Sequence, residues 1–316
     1  MKPLITGIHH ITAIAGNPQA NIDFYTGILG LRLVKKTINF DAPGVYHFYF
    51  GDELGRPGTV FTTFPFTGAR KGAKGAGEVT YTAFSVAADS LEYWIERLKK
   101  YGIPVSDVLT RFGDQLIRFE DHDSMGIELV ANDEDDRTGW SYGQVPIENS
   151  IKGFYGATLN LKSKDLTEKL LTEHMDYHFI GEENGRFRYG TAGKPGDIVD
   201  IVIDKSGSRG MQSAGTVHHI AFRTENAASQ LQVQELLMRN GYQVTEVKDR
   251  NYFTSIYFRE PGGVLFEVAT DEPGFAIDED EAHLGELIKL PEWAEPNRKK
   301  LEESLIPVKL NVESYA

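Results

Sequence analysis

The chain has 316 residues, 41% of them hydrophobic, which is enough for two domains with substantial cores. Its net charge of −13, without any run or stripe of Lys and Arg, argues against a nucleic-acid partner. It contains no cysteine, so disulfides, thiolate metal sites and Cys nucleophiles are excluded, and any metal must be held by nitrogen and oxygen.

No apolar run approaches the ~18–20 residues needed to span a bilayer. The segment Met1-Lys2-Pro3-Leu4 runs straight into a strand with no apolar signal region. A soluble, cytoplasmic protein with no membrane partner is the expectation.

In chain order one unit is expected four times: a strand, an amphipathic helix, then three strands. The first opens at His10, has its helix over residues 20–30, and closes with residues 46–50 and 59–64. The aromatic strand 46–50 reads as core, with a cleft wall as its alternative. The second unit opens over 79–85, has its helix at 91–98, and ends on 126–130. Leu91, Trp94, Ile95 and Leu98 recur at the i, i+3, i+4 spacing of a one-sided helix. Asp133 through Pro146 is charged and turn-rich, which marks a linker, placed at 133–152 between halves 5–132 and 153–272. The third unit opens over 156–160, continues with a helix over 166–174, and ends near 197–202. The fourth opens at His218-His219, has its helix near 231–239, and closes over 263–269. Gly30, Gly102 and Gly241 follow the helices as stop signals. Residues 273–316 lie beyond the repeats, with an acidic stretch at 278–281 and a short helix near 296–305, and read as an external C-terminal extension.

The chemical signal is a repeated pair. Ile8-His9-His10-Ile11-Thr12 returns 209 residues later as Val217-His218-His219-Ile220-Ala221, and Phe266-Glu267-Val268 closes the same unit. Two histidines and a carboxylate form a ligand set that leaves coordination positions open on Fe(II). A lone His at a strand start is more often a hydrogen-bonded core residue, but two equivalent pairs with a Glu on the expected strand favour a metal site. Leu265 and Ala269 share the face of Glu267 and are apolar, so that face is buried, and a buried carboxylate needs a cation. Within each pair the side chains point to opposite faces of the strand.

The four βαβββ units, the position of His10 before the helix at Asp23-Phe24-Tyr25, and the terminal Phe-Glu-Val strand resemble the vicinal-oxygen-chelate superfamily. That group contains glyoxalase I, extradiol dioxygenases and bleomycin-resistance proteins. The resemblance covers residues 5 to about 272 and implies an α+β fold in which four βαβββ modules form two glyoxalase/dioxygenase-type domains. It is strongest toward the hydroquinone-type ring-cleaving dioxygenases, including those linked to bacterial quinone resistance. In those enzymes the first module supplies one His, and the fourth supplies the other His and the Glu. Gly156 and Tyr81 stand where the third and second modules would carry a ligand, so the ordinary extradiol arrangement does not fit.

Carried over residue by residue, the resemblance implies Fe(2+) on His10, His219 and Glu267, with His10 and His219 facing the barrel interior beside Thr12 and Ala221. It implies His218, Tyr257 and Arg250 as catalytic groups and Thr12 and His9 as substrate-binding groups, with His9 and His218 behind the metal ligands or at the pocket rim. Tyr257 has a plain alternative as a core aromatic, and Arg250 as a surface ion pair. Thr62 stands where glyoxalase I would place a fourth ligand. Glu128 and Asp200 read as relics or structural charges. His47, His122, His174, His178 and His283 have no visible partner and read as bystanders.

The implied activity is that of an extradiol-type ring-cleaving dioxygenase, acting with Fe(2+) and O₂ on a hydroquinone-like or catecholic ring. Another metalloenzyme of the same fold and a non-catalytic binder of aromatic compounds remain as alternatives. A homodimer is the expected assembly.

Overall fold

The computed structural model describes residues 2–141, 143–191, 196–205 and 207–315; Tyr142 of the expected linker and Ala316 of the extension lie outside them. All four modules are present with the expected order, and the fold is α+β. Module one contains β1 (Ile8–Ala15), α1 (Pro18–Ile22), β2 (Arg32–Asn39), β3 (Ala42–Gly51) and β4 (Val60–Pro65). Module two contains β5 (Glu78–Val86), α2 (Leu91–Lys100), β6 (Leu109–Arg111), β7 (Asp114–Glu120) and β8 (Gly126–Ala131). Module three contains β9 (Gly153–Leu161), α3 (Asp165–His174), β10 (His178–Glu183), β11 (Arg186–Gly190) and β12 (Ile198–Ile203). Module four contains β13 (Thr216–Thr224), α4 (Ala227–Arg239), β14 (Lys248–Asp249), β15 (Phe253–Arg259) and β16 (Leu265–Pro273).

The first helix departs from expectation. Asn17 caps it through the Ala20 amide and Pro18 starts it. From Asp23 to Ile28 the turn widens to a π-helix, with Leu29 N donating to Phe24 O. This places Tyr25 in the core, where its hydroxyl donates to Asp121 at 3.0 Å. The fourth helix begins earlier than the apolar pattern suggested, because Asn226 accepts from the Ser229 amide and caps it.

Two eight-stranded sheets result, in the orders β14-β15-β16-β13-β1-β4-β3-β2 and β10-β11-β12-β9-β5-β8-β7-β6. They cut across the chain halves 5–132 and 153–272. Modules one and four share the first sheet, joined by antiparallel β1 and β13, and modules two and three share the second, joined by β5 and β9. The connections β4-to-β5 and β12-to-β13 each pass between sheets and run side by side, with bridges Lys71↔Ala214, Ala73↔Met211 and Ala76↔Arg209. Core aromatics fill the space between the sheets, with the rings of Phe61 and Phe84 6.1 Å apart.

The extension is anchored to the first sheet. Fully buried Lys35 of β2 places Nζ 2.5 Å from both Asp278 Oδ1 and Glu279 Oε2. Further along, Lys289 N donates to Lys36 O, and Leu290 and Ala294 are buried. The short helix α5 (Arg298–Ser304) follows.

Candidate metal centre

Strand register assembles the site. In the first sheet Val60, His10, Ala221, Glu267 and Tyr257 stand in one cross-strand row. Thr62, Thr12 and His219 stand in the row beside it. Residues two apart share a face, so His10 with Thr12 and His219 with Ala221 meet on one side. Ala221, between His10 and Glu267, carries only a methyl group, and the longer side chains converge above it.

The convergence is tight. His219 Nε2 lies 2.9 Å from Glu267 Oε2, His10 Nε2 lies 3.4 Å from it, and the two Nε2 atoms are 3.3 Å apart. Adjacent donors around one divalent ion, with bonds of about 2.1 Å, are spaced by about 3 Å. All three side chains are buried, and Glu267 Oε2 has no hydrogen-bond donor among the described residues. Burial pushes the Glu267 carboxyl up, but His10 and His219 outweigh it and hold the group well below the usual range. A buried carboxylate oxygen, lacking a donor and facing two imidazole nitrogens, fits a cation.

The other oxygen, Glu267 Oε1, accepts from Ser255 Oγ on β15, which fixes the carboxylate's orientation. Nothing in the sequence pattern singled out Ser255. Two places from Tyr257, it shares that residue's face.

His10 and His219 each rest on the histidine before them. His9 Nδ1 is 2.9 Å from His10 Nδ1, and His218 Nδ1 is 2.8 Å from His219 Nδ1. If Nε2 of His10 and His219 faces a metal, their Nδ1–H groups donate, so His9 and His218 accept at Nδ1 and carry their protons on Nε2. Burial keeps both supporting rings neutral, with His218 lowered to about 3. His9 sits where the β1–β13 register shifts, between Ile8 and His10.

A cavity of about 480 Å³ opens over this face. His10, His218, His219, Arg250 and Tyr257 all line it. His9 and Thr12, expected at the substrate, do not. His9 lies behind the site, against Phe253 and a separate cavity of about 190 Å³. Thr12 is fully buried and bonded to Thr62 at 2.7 Å. Both therefore support the site from beneath. Arg250 makes the ion pair that was its alternative, with Nη1 3.4 Å from exposed Asp41, and its Nε donates to Tyr257 Oη at 3.0 Å. Burial, followed by the Glu267 charge, raises the Tyr257 phenol, which stays protonated.

His47 is a correction. It is no bystander: it lines the cavity, its Nε2 is 2.9 Å from Thr62 Oγ1, and Tyr49 Oη is 2.8 Å from its Nδ1. Burial, reinforced by His10 and His219, holds it well below the usual histidine range. Its strand is crowded with aromatic residues, at 46, 48, 49 and 50, so a single His there carried no distinguishing pattern. Of the others, His122 pairs with Asp123 and exposed His283 with Glu286.

The second sheet repeats the framework without the site. Its matching row reads Ile198, Gly156, Ala83, Glu128, Arg118, beside Asp200, Thr158, Tyr81. Gly156 and Tyr81 stand for the two ligand histidines. A Cβ at Gly156 would lie 2.3 Å from Ile198 O, so no side chain fits. Glu128 is met instead by Arg111 at 2.6 Å and Arg118 at 2.8 Å, and Asp200 by Arg188 at 2.9 Å. Both carboxylates are structural charges.

Residues 7–129 and 149–268 match the Glyoxalase/Bleomycin resistance protein/Dioxygenase superfamily. The chain is 47% identical over 301 residues to "Putative ring-cleaving dioxygenase MhqO" of Bacillus subtilis, covering 95% of this chain and 96% of that one. It is 36% identical to "Chlorohydroquinone/hydroquinone 1,2-dioxygenase" of Sphingobium indicum, covering 90% and 91%. A Bacillus subtilis crystal structure described as a "putative dioxygenase" superposes with a TM-score of 0.94 at 46% identity, covering 98% and 99%. The repeated βαβββ modules, their pairing and these matches over nearly the whole chain make this protein a member of the Glyoxalase/Bleomycin resistance protein/Dioxygenase superfamily.

Proposed function

We propose that this protein is an Fe(II)-dependent ring-cleaving dioxygenase for hydroquinone-like rings, with His10, His219 and Glu267 as metal ligands. The observation that carries the reading is the triangle of two imidazole nitrogens and one undonated carboxylate oxygen at the floor of a cavity. Two relatives are named as ring-cleaving or hydroquinone dioxygenases, which supports the substrate class.

When bound, the Fe(II) supplies a Lewis acid for a substrate oxygen and open positions for O₂. The residues of this chain do the rest. Phe64, Phe66 and Phe253 wall the cavity and favour a flat apolar ring. Tyr257, held by Arg250, offers its hydroxyl proton to a ring oxygen, and His218 offers a neutral N–H donor at the rim. Tyr49 and His47 form the proton acceptor: a proton leaving the substrate hydroxyl is received at Tyr49 Oη as Tyr49 passes its own to His47 Nδ1. The His47 Nε2–H donates to Thr62, whose hydroxyl in turn donates to Thr12, and this fixes the tautomer.

The test is oxygen consumption. Protein purified without O₂ and loaded separately with Fe(II), Mn(II), Ni(II) and Zn(II) is given a panel of hydroquinones and catechols in an oxygen electrode. Uptake with Fe(II) and a ring-opened product supports the proposal. Turnover confined to Zn(II) or Ni(II), or none with any ring, overturns it.

A further inference from the structure

The C-terminal segment 290–298 plays no part in the metal site, yet it reaches the cavity mouth. Phe40, at the turn after β2, lines the metal-site cavity on one side. On its other side lies an open depression of about 500 Å³, bounded by Asp249, Asn251, Pro291, Glu292 and Trp293. The Phe40 and Trp293 rings meet edge to face, with centroids 5.9 Å apart. Trp293 is 55% exposed although Leu290 and Ala294 on either side of it are buried. An anchored segment thus presents an indole face beside the mouth.

Size and charge say what belongs there. A cavity of about 150 Å³ suffices for a benzene ring, and the inner cavity holds about 480 Å³. A bare dihydroxybenzene leaves most of it empty, whereas a ring with an apolar substituent directed past Phe40 fills it and continues onto Trp293. Lys248 and Arg250 line the inner cavity, whereas the exposed carboxylates of Asp249 and Glu292 border the outer depression, so an anionic group carried far enough to leave the inner cavity is repelled there.

We propose that Phe40 and Trp293 form an outer subsite for an uncharged apolar substituent of the substrate ring, with Asp249 and Glu292 turning away carboxylated rings. This assigns a role to the C-terminal segment and rests on the ring-cleavage reading above.

The test compares kcat/KM of the iron-loaded protein for hydroquinone, propylhydroquinone and 3-(2,5-dihydroxyphenyl)propanoate, which carries its carboxylate at the end of a chain of the same reach. Trp293→Ala and Phe40→Ala are expected to lose about tenfold more on the propyl ring than on the bare ring, the discrimination that one or two methylenes give in an apolar pocket. Glu292→Gln with Asp249→Asn raises activity on the carboxylated ring. Leu287→Ala, exposed on the extension just before this segment and not bordering the depression, scales all three substrates equally. Anaerobic titration is the second readout: propylhydroquinone quenches tryptophan fluorescence more than hydroquinone does, and Trp293→Phe abolishes the difference. Equal losses on both rings, a wild-type preference for the carboxylated ring, or a differential quench that survives Trp293→Phe would each overturn the subsite. No O₂ uptake by wild type with any ring sinks the ring-cleavage reading instead, and the titration then decides the subsite alone.

Discussion

His10 Nε2 lies 3.3 Å from His219 Nε2, although 209 residues separate them in the chain. That approach depends on modules one and four sharing a sheet, so the proposed metal site exists only when the two ends of the repeat array have paired. Metal binding at this point is coupled to the closure of the whole molecule, since an ion that binds only the folded state stabilises it.

Ser255 tests the carboxylate's support. Removing its hydroxyl frees Glu267 Oε1 without touching any proposed ligand. Outer partners of this kind typically contribute ten- to a hundredfold in metal affinity. Ser255→Ala is expected to weaken Fe(II) binding by about that factor, read from anaerobic competition with a chelating dye, whereas His219→Ala abolishes binding. Unchanged affinity in Ser255→Ala would mean the hydroxyl does not orient the ligand.

The convergence of His10, His219 and Glu267 was legible because the His pair repeats: paired histidines at equivalent strand starts stand out against a background of single ones. Ser255 and His47 were not, since neither belongs to a repeat, and their roles arise from cross-strand register. The same holds for the second sheet. Glu128 and Asp200 were recognisable as carboxylates without histidine partners, but the arginines that neutralise them come from different strands and carry no spacing signature. Sequence order alone does not say which modules pair, and the sheets join one with four and two with three.

His47→Gln separates proton acceptance from metal binding. The side chain is 2.9 Å from Thr62 and 2.8 Å from Tyr49, and holds none of the proposed coordination positions. Positioned acid–base groups contribute about 10²–10⁴-fold to turnover. The variant is expected to retain full iron content and to lose kcat by a factor in that range, with KM for the ring changed far less. Parallel loss of iron and activity would place His47 among the metal's own supports.

Glu128 gives a pH-dependent stability. Burial pushes its carboxyl up, but Arg111 and Arg118 outweigh this and its pKa is lowered in the fold. A depressed folded pKa means stability that is present above the unfolded pKa, near 4.3, and is lost as pH falls through the folded value. Glu128→Gln removes the nearer counter-charge of the buried Arg111 and leaves it Asp200 at 3.6 Å, so the cost falls below the about 3–5 kcal/mol of a wholly broken buried pair. In urea unfolding the gap between wild type and variant should be full at pH 7 and narrow steadily below pH 4. A gap of constant size across that range would show that the ion pair is not its cause.

Lys35 links the extension to the cavity mouth. Its ammonium is wholly buried between Asp278 and Glu279, with Tyr252 Oη donating to Asp278 at 3.0 Å. Lys35→Met keeps the aliphatic length but leaves the two carboxylates facing each other, and breaking a buried pair in this way costs about 3–5 kcal/mol. Because Lys35 supplies the buried charge that β2 sets against this segment, the other ties being hydrogen bonds from Arg32 to Ala282 O, from Lys36 Nζ to Glu286 O and between the Lys36 and Lys289 backbones, the loss should fall on the extension before it reaches the sheets. Limited proteolysis is expected to cut Lys35→Met after Pro273 many times faster than wild type, while the strands of the first sheet stay protected. If Trp293 serves the mouth as proposed, the same variant should bind iron normally and yet lose its preference for the alkylated ring. Normal proteolysis with normal selectivity would show that the extension is held by its apolar contacts alone.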